Sequence, residues 1–232
     1  MINQLKQNIQ TIQTTVQEAC QASHRSYDEI HTICVSKTVP AEWIQTAYQL
    51  DQRHFAENRP NVFESKVIAL KESCPEIQWH FIGNLQRRQV KNIINQIDFL
   101  HSLDRLSLAQ EIQKRANHPI PCFVQVNVSG EESKSGFSLD ELDLAIEELI
   151  PLDKIQLFGL MTMAPIDATE DELLTIFGQT RQILNDLQNK YPHAQIGNHL
   201  SMGMSRDYPQ AIQQGADYIR VGTAFFQEIP ID

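Results

Sequence analysis

The stretch Ile33-Cys34-Val35-Ser36-Lys37 is a short apolar run, typical of a buried strand, that ends in a lysine. Seven further strand-like runs follow it, and segments with helical periodicity separate them. The eight predicted strands lie near Ile33–Lys37, His54–Asn58, Trp79–Gly83, Ile97–Ser102, Cys122–Ser129, Ile155–Thr162, His199–Met204 and Ala216–Phe225. This alternation predicts an α/β fold with a parallel sheet.

The segments between these runs have the spacing of apolar residues that is typical of amphipathic helices. They lie near Ala41–Gln52, Pro60–Glu72, Leu85–Gln96, Arg105–Asn117, Leu139–Ile150, Glu170–Lys190 and Asp207–Gln214. A further amphipathic stretch, from Asn3 to Ala22, precedes the first strand. The fold is therefore expected to begin with an extra N-terminal helix.

Two architectures accommodate eight alternating strands and helices: an open doubly wound sheet and a closed (β/α)8 barrel. No GxGxxG or GxxxxGK[ST] motif follows any strand, which removes support for the nucleotide-binding open sheets. A chain of 232 residues without a Gly/Ser/Pro-rich linker has the size of one barrel. We therefore predict a single-domain (β/α)8 TIM barrel over residues 1–232.

Composition predicts a soluble, cytoplasmic protein. The formal net charge is −10 and the 19 basic residues are scattered, which argues against nucleic-acid binding. No apolar stretch approaches the roughly 20 residues of a membrane span, and the N-terminus lacks the features of a signal peptide. The four cysteines form no CxxC pair, so buried reduced thiols are expected and a metal site is not.

Polar residues gather at the C-terminal ends of the predicted strands, where barrel enzymes place their chemistry. Strand one ends in Lys37, strand two in Asn58 and strand six in Met161 and Thr162. Strand eight ends in Arg220 to Thr223, and the loops after strands seven and eight, which often bind phosphate in barrels, contain Ser201, Gly203, Ser205, Gly222 and Thr223. Glycine lets backbone amides approach a phosphate, and hydroxyls add donors. The combination of Lys37 with these residues suggests that the lysine holds a phosphate cofactor covalently.

Several of these residues have a plainer interpretation. A single lysine at a strand end is most often solvated, and methionines more often fill a core than contact a ligand. His80, in an apolar strand, is more simply a hydrogen-bonded core histidine, and Asp104-Arg105 most simply begins a helix. Arg220 is harder to explain by packing, because a buried arginine needs an acceptor or an anion.

Seven segments, in chain order and over nearly the whole chain, resemble motifs of the pyridoxal-phosphate homeostasis proteins, also called the YggS or PROSC family. They are Val35-Ser36-Lys37-Thr38, Phe55-Ala56-Glu57-Asn58, Trp79-His80-Phe81-Ile82-Gly83, Gln125-Val126-Asn127-Val128, Gly159-Leu160-Met161, Leu200 to Ser205 and Arg220-Val221-Gly222-Thr223. The family has the fold of the alanine racemase N-terminal barrel.

The resemblance implies that pyridoxal 5′-phosphate (PLP) is the cofactor. Lys37 would form the internal aldimine, which requires a neutral amine. Arg220 would face the pyridine nitrogen and leave it unprotonated, because an arginine does not readily release a proton. The other implied contacts are the phosphate residues Ser201, Gly203, Ser205, Gly222 and Thr223 and the flanking residues Asn58 and Met161.

The implied role is intracellular vitamin B6 homeostasis, with PLP-dependent apoenzymes as recipients. Racemisation needs two bases on opposite faces of the substrate α-carbon, and alanine racemases take the second, a tyrosine, from the β-domain of the partner subunit. This sequence ends at Asp232, soon after its eighth strand, and its five tyrosines offer no obvious replacement. We therefore expect Lys37 to store or deliver cofactor with little or no turnover, and a monomer is favoured over a dimer.

Two alternatives remain open at this stage. One is a small PLP-dependent enzyme, such as an amino-acid racemase that uses water or a rim residue as its second base. The other is a non-covalent phosphate-ligand binder or regulatory barrel, with Lys37 as a counter-charge.

The sequence also departs from the usual family pattern, notably at Ala56, Pro60, Asn84 and Gln227. Ala56, for example, stands where glycine is common. We expect these departures to lie around the mouth and the tail of the barrel, away from the proposed aldimine and phosphate residues.

Overall fold

Eight parallel strands pair in sequence order and close into a barrel, as predicted. The computed structural model describes residues 1–130 and 135–230. The strands are β1 (His31–Val35), β2 (His54–Glu57), β3 (Gln78–Phe81), β4 (Phe99–Leu103), β5 (Ile120–Gln125), β6 (Ile155–Met161), β7 (His199–Met204) and β8 (Tyr218–Val221). Pairing of β1 with β8 completes the barrel.

Some of the helices begin at residues that are typical of helix N-termini. The helices are α1 (Ile2–Ala22), α2 (Ala41–Gln49), α3 (Pro60–Leu70), α4 (Arg87–Ile93), α5 (Leu106–Arg115), α6 (Leu139–Leu149), α7 (Glu170–Lys190), α8 (Tyr208–Gln213) and α9 (Thr223–Phe226), with a short 3-10 helix at Tyr27–Glu29. Ser138 and Thr169 form capping boxes with Glu141 and Glu172 at the starts of α6 and α7. Pro60 occupies the first turn of α3, where its missing N–H costs no hydrogen bond.

The extra N-terminal helix α1 packs against α8 and α9. Its buried face includes Leu5, Ile9, Ile12, Val16 and Ala19, at helical spacing. Complete burial of one large aliphatic side chain contributes about 1.5–3 kcal/mol. Asn8 adds two hydrogen bonds, because its Nδ2 donates to the carbonyls of Phe225 and Gln227, each at 2.9 Å. The helix thus holds the segment that follows β8.

Aromatic and imidazole rings occupy much of the barrel interior. Ring contacts, with centroids 4.1–6.3 Å apart, join His31, His54, His80, Phe99, His101, Phe123, Phe158, His199 and Tyr218. Five of the eight histidines of the chain belong to this group. His80 is fully buried and makes hydrogen bonds to His54 and His101, which confirms that it is a core histidine.

The predicted bounds of β7 and α7 are confirmed, but strands five and eight are shorter than predicted. β5 ends at Gln125, and Val126 beyond it forms only an isolated bridge with Phe137. β8 ends at Val221, and Thr223 begins α9. The predicted strand Ala216–Phe225 therefore includes a strand, a turn and a helix. The overprediction arose because a short buried helix has the same continuous apolar pattern as a buried strand.

All four cysteines are buried, and none forms a disulfide. In the described ranges, no cluster of histidine, cysteine, aspartate or glutamate could hold a metal ion. The same part of the chain contains no helix with the length and apolar character needed to cross a bilayer.

Candidate functional site

A cavity of about 880 Å³ opens at the C-terminal mouth of the barrel. Its walls come from residues at or just after the ends of β1, β2, β3, β6, β7 and β8. Seven of the nine predicted site residues line it: Lys37, Asn58, Met161, Ser205, Arg220, Gly222 and Thr223. The other two, Ser201 and Gly203, are buried and do not belong to its lining.

Lys37 follows β1 and projects an exposed side chain at the cavity. Among the described residues, its amine has no hydrogen-bond or ion-pair partner. The backbone before it is firmly held, because Lys66 Nζ donates to the Ser36 carbonyl at 2.8 Å and pairs with Glu57 Oε1 at 2.6 Å. Ser36 Oγ also donates to Glu57 Oε1, at 2.7 Å. A buried ion pair therefore fixes the strand end that carries Lys37.

Arg220 lies at the inner wall of the cavity, and its side chain is almost completely buried. Nη1 donates to Ser201 Oγ at 2.6 Å, and Nη2 donates to the Thr162 carbonyl at 3.0 Å. The sequence-based expectation that a buried arginine needs acceptors is thus confirmed. Burial lowers the pKa of Arg220 to about 10, against the opposing effect of Asp207. The guanidinium therefore stays protonated at neutral pH.

Backbone amides and hydroxyls meet where β8 passes into α9. Ser205 Oγ accepts hydrogen bonds from the amides of Gly222 and Ala224, at 3.2 and 3.5 Å. The exposed Thr223 lies between them in the chain, and it also lines the cavity. Because Ser205 Oγ accepts from both amides, its own O–H can donate to a ligand, and together with Thr223 it suits an anion such as a phosphate.

The loop after β7 keeps its shape through Asp207 and Gly203. Asp207 Oδ1 accepts a hydrogen bond from the Met204 amide at 2.5 Å. Gly203 has a φ of +90°, and a Cβ there would lie 2.6 Å from Ala211 Cβ and 2.9 Å from Tyr208 Cα. Glycine is therefore required at this position so that the end of β7 can pack against α8. It does not line the cavity.

Ser201 lies deeper than the sequence suggested. Its side chain is fully buried, and Oγ lies 2.6 Å from Arg220 Nη1 and 2.7 Å from His101 Nδ1. Because β7 continues three residues further, to Met204, Ser201 sits inside the barrel and not at its rim. This position favours a role behind Arg220 over the predicted contact with a phosphate.

Asn58 and Met161 lie where flanking residues were predicted. Met161, the last residue of β6, is buried and lines the cavity. Asn58 Oδ1 is buried and has no hydrogen-bond partner in the described part of the chain. A buried polar atom without a partner costs about 1–3 kcal/mol, so a ligand that donates a hydrogen bond would be favoured there.

The remaining walls set the chemical character of the cavity. Apolar side chains on one side include Ile82, Met163, Ile166 and Leu173. The titratable side chains of the described lining are Lys37, Arg206, Asp207 and Arg220. Arg206 also ties two loops together, because its Nη1 donates to the Ile166 carbonyl at 2.6 Å. Three cationic side chains against one carboxylate favour an anionic ligand with an apolar part.

Sequence reasoning missed three residues that shape this site: His101, which contacts Ser201, and the Glu57–Lys66 pair under Lys37. His101 carried a signal, because it stands in the predicted strand Ile97–Ser102 and a polar residue in such a strand needs a partner. The Glu57–Lys66 pair joins a strand to the following helix, and a spacing of this kind has no recognisable pattern.

Comparison with known proteins identifies the family. Residues 2–230 match the family model described as the N-terminal domain of alanine racemase. A pyridoxal phosphate homeostasis protein of Aquifex aeolicus is 38% identical over 216 residues, which cover 92% of this chain and 93% of the relative. The chain belongs to the pyridoxal phosphate homeostasis protein family.

Two solved structures are similar to this chain. PipY of Synechococcus elongatus, with PLP bound, has a TM-score of 0.80 and 30% sequence identity, covering 91% of this chain and 99% of PipY. A protein of unknown function from Bifidobacterium adolescentis has a TM-score of 0.92 and 27% identity, covering 97% of this chain and 95% of that one. The barrel and its extra N-terminal helix are thus shared with relatives.

The residues of the cavity fit PLP as the cofactor of this family. The ligand is a phosphorylated aromatic aldehyde, which matches an amine, a cationic excess and apolar walls in one cavity. Lys37 would supply the amine, Arg220 would supply a cationic group for the ring nitrogen, and the hydroxyls of Ser205 and Thr223 would donate to the phosphate. The unpartnered Asn58 Oδ1 adds an acceptor that a hydroxyl of the cofactor could satisfy.

The four departures from the family pattern do not share one location. Gln227 lines the cavity, and Asn84 is exposed on the loop after β3. Pro60 begins α3 and is buried. Ala56 lies one residue before the end of β2 and belongs to the same buried cluster as Val35 and Met161, which both line the cavity.

Proposed function

We propose that this protein holds PLP as a Schiff base on Lys37 and serves intracellular PLP homeostasis, with little or no turnover of amino acids. The observation that carries the proposal is the Lys37 amine, which faces the same cavity as Arg220 and the donors of Ser205 to Thr223. When bound, the cofactor would supply an aldehyde carbon; Lys37 Nζ, after it has released a proton to solvent, would add to that carbon, and water would leave as the C=N bond forms.

Each side chain of the cavity has a role in this proposal. Arg220 would direct N–H groups at the ring nitrogen and, since it stays protonated, would leave that nitrogen without a proton. Ser205 and Thr223 would donate hydroxyl hydrogen bonds to the phosphate, and the Gly222 amide, which donates to Ser205 Oγ, would orient the Ser205 hydroxyl. Ser201 would support Arg220 from behind instead of touching the phosphate. Asn58 would accept a hydrogen bond at the cofactor edge.

The composition of the cavity supports a carrier over a racemase. Its described lining contains no tyrosine, histidine, cysteine or glutamate that could act as a second base. Tyr208, the tyrosine nearest in sequence to the loop after β7, is buried in α8. Asp207 is buried, and its Oδ1 is engaged by the Met204 amide. Proton transfer on both faces of a substrate carbon would need a group that this cavity does not offer.

The proposal extends to delivery. A covalent site that is exposed to solvent at Lys37 can release its cofactor by hydrolysis of the C=N bond, with no rearrangement of a buried core. PLP-dependent apoenzymes in the same compartment, the cytoplasm, would be the recipients.

Absorbance spectroscopy tests the proposed function. Wild-type protein with added PLP should develop a yellow absorption band that Lys37→Ala does not develop. Lys71→Ala, which removes an exposed lysine from the end of α3, serves as the matched control and should keep the band. A band that persists in Lys37→Ala, or no band with excess PLP, would favour the non-covalent phosphate binder. Sustained racemisation of amino acids that Lys37→Ala abolishes would favour the enzyme.

A further inference from the structure

A continuous chain of hydrogen bonds runs through the barrel from Arg220 towards the opposite mouth. Arg220 Nη1 donates to Ser201 Oγ at 2.6 Å, and Ser201 Oγ lies 2.7 Å from His101 Nδ1. His101 Nε2 lies 2.8 Å from His80 Nδ1, and His80 Nε2 lies 2.9 Å from His54 Nδ1. Ser201, His101 and His80 are fully buried.

The three histidines of this hydrogen-bonded chain, His54, His80 and His101, are neutral at neutral pH. Burial lowers the pKa of His54 to about 4, and it lowers the pKa values of His80 and His101 well below their usual range. The nearby Arg220 charge adds to the effect at His101. A neutral imidazole has one N–H and one acceptor nitrogen, so each histidine must donate on one side and accept on the other.

Only two arrangements of protons satisfy this rule along the whole chain. In one, Ser201 donates to His101, His101 to His80, and His80 to His54. In the other, every bond runs the opposite way and Ser201 Oγ accepts from both His101 and Arg220. The Ser201 hydroxyl proton would then have no acceptor among the described residues, in a site closed to water. The first arrangement leaves no buried donor unpaired and is therefore preferred.

The far end of the chain reaches a second mouth. His54 is half-buried and lines a cavity of about 300 Å³, together with residues of α1 and the starts of β1 and β2. The last donor of the chain, His54 Nε2–H, can be hydrated there. The polar chain therefore has a solvated end and a cationic end, and it needs no buried charge between them.

We infer that His101 and Ser201 are positioning residues that fix the Arg220 guanidinium at the ring-nitrogen side of the cofactor cavity. This inference rests on the proposed function. Ser201 presents a lone pair to Arg220 only while its own proton points away, and His101 Nδ1 is the group that takes this proton. His80 in turn orients the His101 ring by accepting from its Nε2–H. Among the described residues, the other acceptor of the guanidinium is the Thr162 carbonyl, whose direction is fixed by the backbone.

Two substitutions of His101 separate hydrogen bonding from ring packing. His101→Phe keeps an aromatic ring against Phe123, whose centroid lies 4.4 Å away, but removes both nitrogens. His101→Asn loses the ring and keeps an acceptor oxygen near the position of Nδ1. The inference predicts that His101→Phe weakens PLP binding about tenfold, while His101→Asn recovers most of the wild-type affinity. Weaker binding by Asn than by Phe would overturn it.

A double-mutant cycle shows whether His101 acts through Arg220. With PLP as the titrant, the loss caused by His101→Phe should disappear in an Arg220→Lys background, because the group that His101 positions is no longer there. Equal losses in both backgrounds would overturn the inference. His31→Phe, another interior histidine outside the hydrogen-bonded chain, is the control and should bind PLP as the wild type does. If His101→Phe does not fold, Ser201→Ala replaces it in the same cycle with the same expected outcomes.

The same experiments distinguish this inference from the proposed function. Failure of the wild-type protein to form a covalent PLP adduct contradicts the proposed function. Wild-type binding with an additive cycle contradicts only the positioning of Arg220. ¹⁵N chemical shifts of the imidazoles in cofactor-free protein give an independent check. Protonated Nε2 in His54, His80 and His101 supports the chain, and protonated Nδ1 contradicts it.

Discussion

Lys66 Nζ and Glu57 Oε1 form an ion pair of 2.6 Å in which both side chains are buried. The pair lies between β2 and α3, and Lys66 also donates to the carbonyl of Ser36, the residue before Lys37. Glu57 Oε2 has no hydrogen-bond partner among the described residues. Burying these two charges costs desolvation energy. In return, the pair holds the end of β1 in place through the bond to the Ser36 carbonyl.

Removing one partner of this pair should be costly. Lys66→Met leaves the Glu57 carboxylate buried without its counter-charge, so we expect the free energy of unfolding to fall by about 3–5 kcal/mol. The double variant Glu57→Gln with Lys66→Met should recover much of this loss, because no isolated charge remains. Urea unfolding measures both. A loss below about 1 kcal/mol in the single variant would show that the pair does not have this role.

Gly203 should tolerate no side chain. Gly203→Ala combines a positive φ with contacts of 2.6 and 2.9 Å to α8, and we expect a loss of about 3 kcal/mol or more in unfolding free energy. Gly130 is the matched control, because its φ is +70° but no atom of the described residues, its chain neighbours aside, lies within 4 Å of an added Cβ. Gly130→Ala should cost only the backbone strain, about 1–2 kcal/mol. Equal losses at both positions would contradict the packing role of Gly203.

Asn58 should show opposite effects on stability and on binding. Its Oδ1 is buried and unpartnered within the described ranges, so Asn58→Leu removes a polar atom whose burial is unfavourable. We expect the cofactor-free protein to be as stable as the wild type or more stable, by up to about 1 kcal/mol. PLP affinity should fall about tenfold. Thermal melting and PLP titration check the two expectations, and unchanged affinity would remove Asn58 from the site.

Stability should decrease as the pH falls below about 6.5, the usual histidine pKa. The pKa values of His31, His54, His80 and His101 are lowered by burial, for His54 to about 4. Between pH 6.5 and 4 the unfolded chain therefore binds more protons than the folded one. The free energy of unfolding falls as the pH falls through this window. Each strongly shifted histidine contributes about 1.4 kcal/mol per pH unit in that window.

Urea unfolding between pH 7 and 5 measures this slope, above the main titration range of the carboxylates. His54→Gln should reduce the slope by the contribution of one histidine. A flat profile would contradict the neutral state of the interior histidines, and with it the hydrogen-bonded chain that they form.

Much of the fold could be predicted because its signals are local. The alternation of strand-like and helix-like runs predicted the barrel and the bounds of α7, and it placed Lys37 close to the end of a strand. The polar residues at strand ends were also informative, because parallel strands in a barrel bring those ends to one mouth. Lys37 and Arg220, far apart in sequence, meet in one cavity for that reason.

The sequence does not predict how deep a side chain lies along the barrel axis. Ser201 was predicted to lie at the mouth and to bind the phosphate, but its hydroxyl faces His101 and Arg220 inside the barrel. How far inside the barrel a residue lies depends on the register between neighbouring strands, which only the closed sheet determines. The contact between His101 and Ser201 joins residues 100 positions apart and leaves no local pattern in the sequence.

Mapping the attachment site of PLP shows directly whether Lys37 holds the cofactor. The protein is loaded with PLP, reduced with borohydride to convert the C=N bond into a stable amine, digested and analysed by mass spectrometry. We expect one modified peptide, with the added mass on Lys37, and no modified peptide from Lys37→Ala. Added mass on another lysine, or no adduct in wild-type protein that binds PLP, would contradict this expectation.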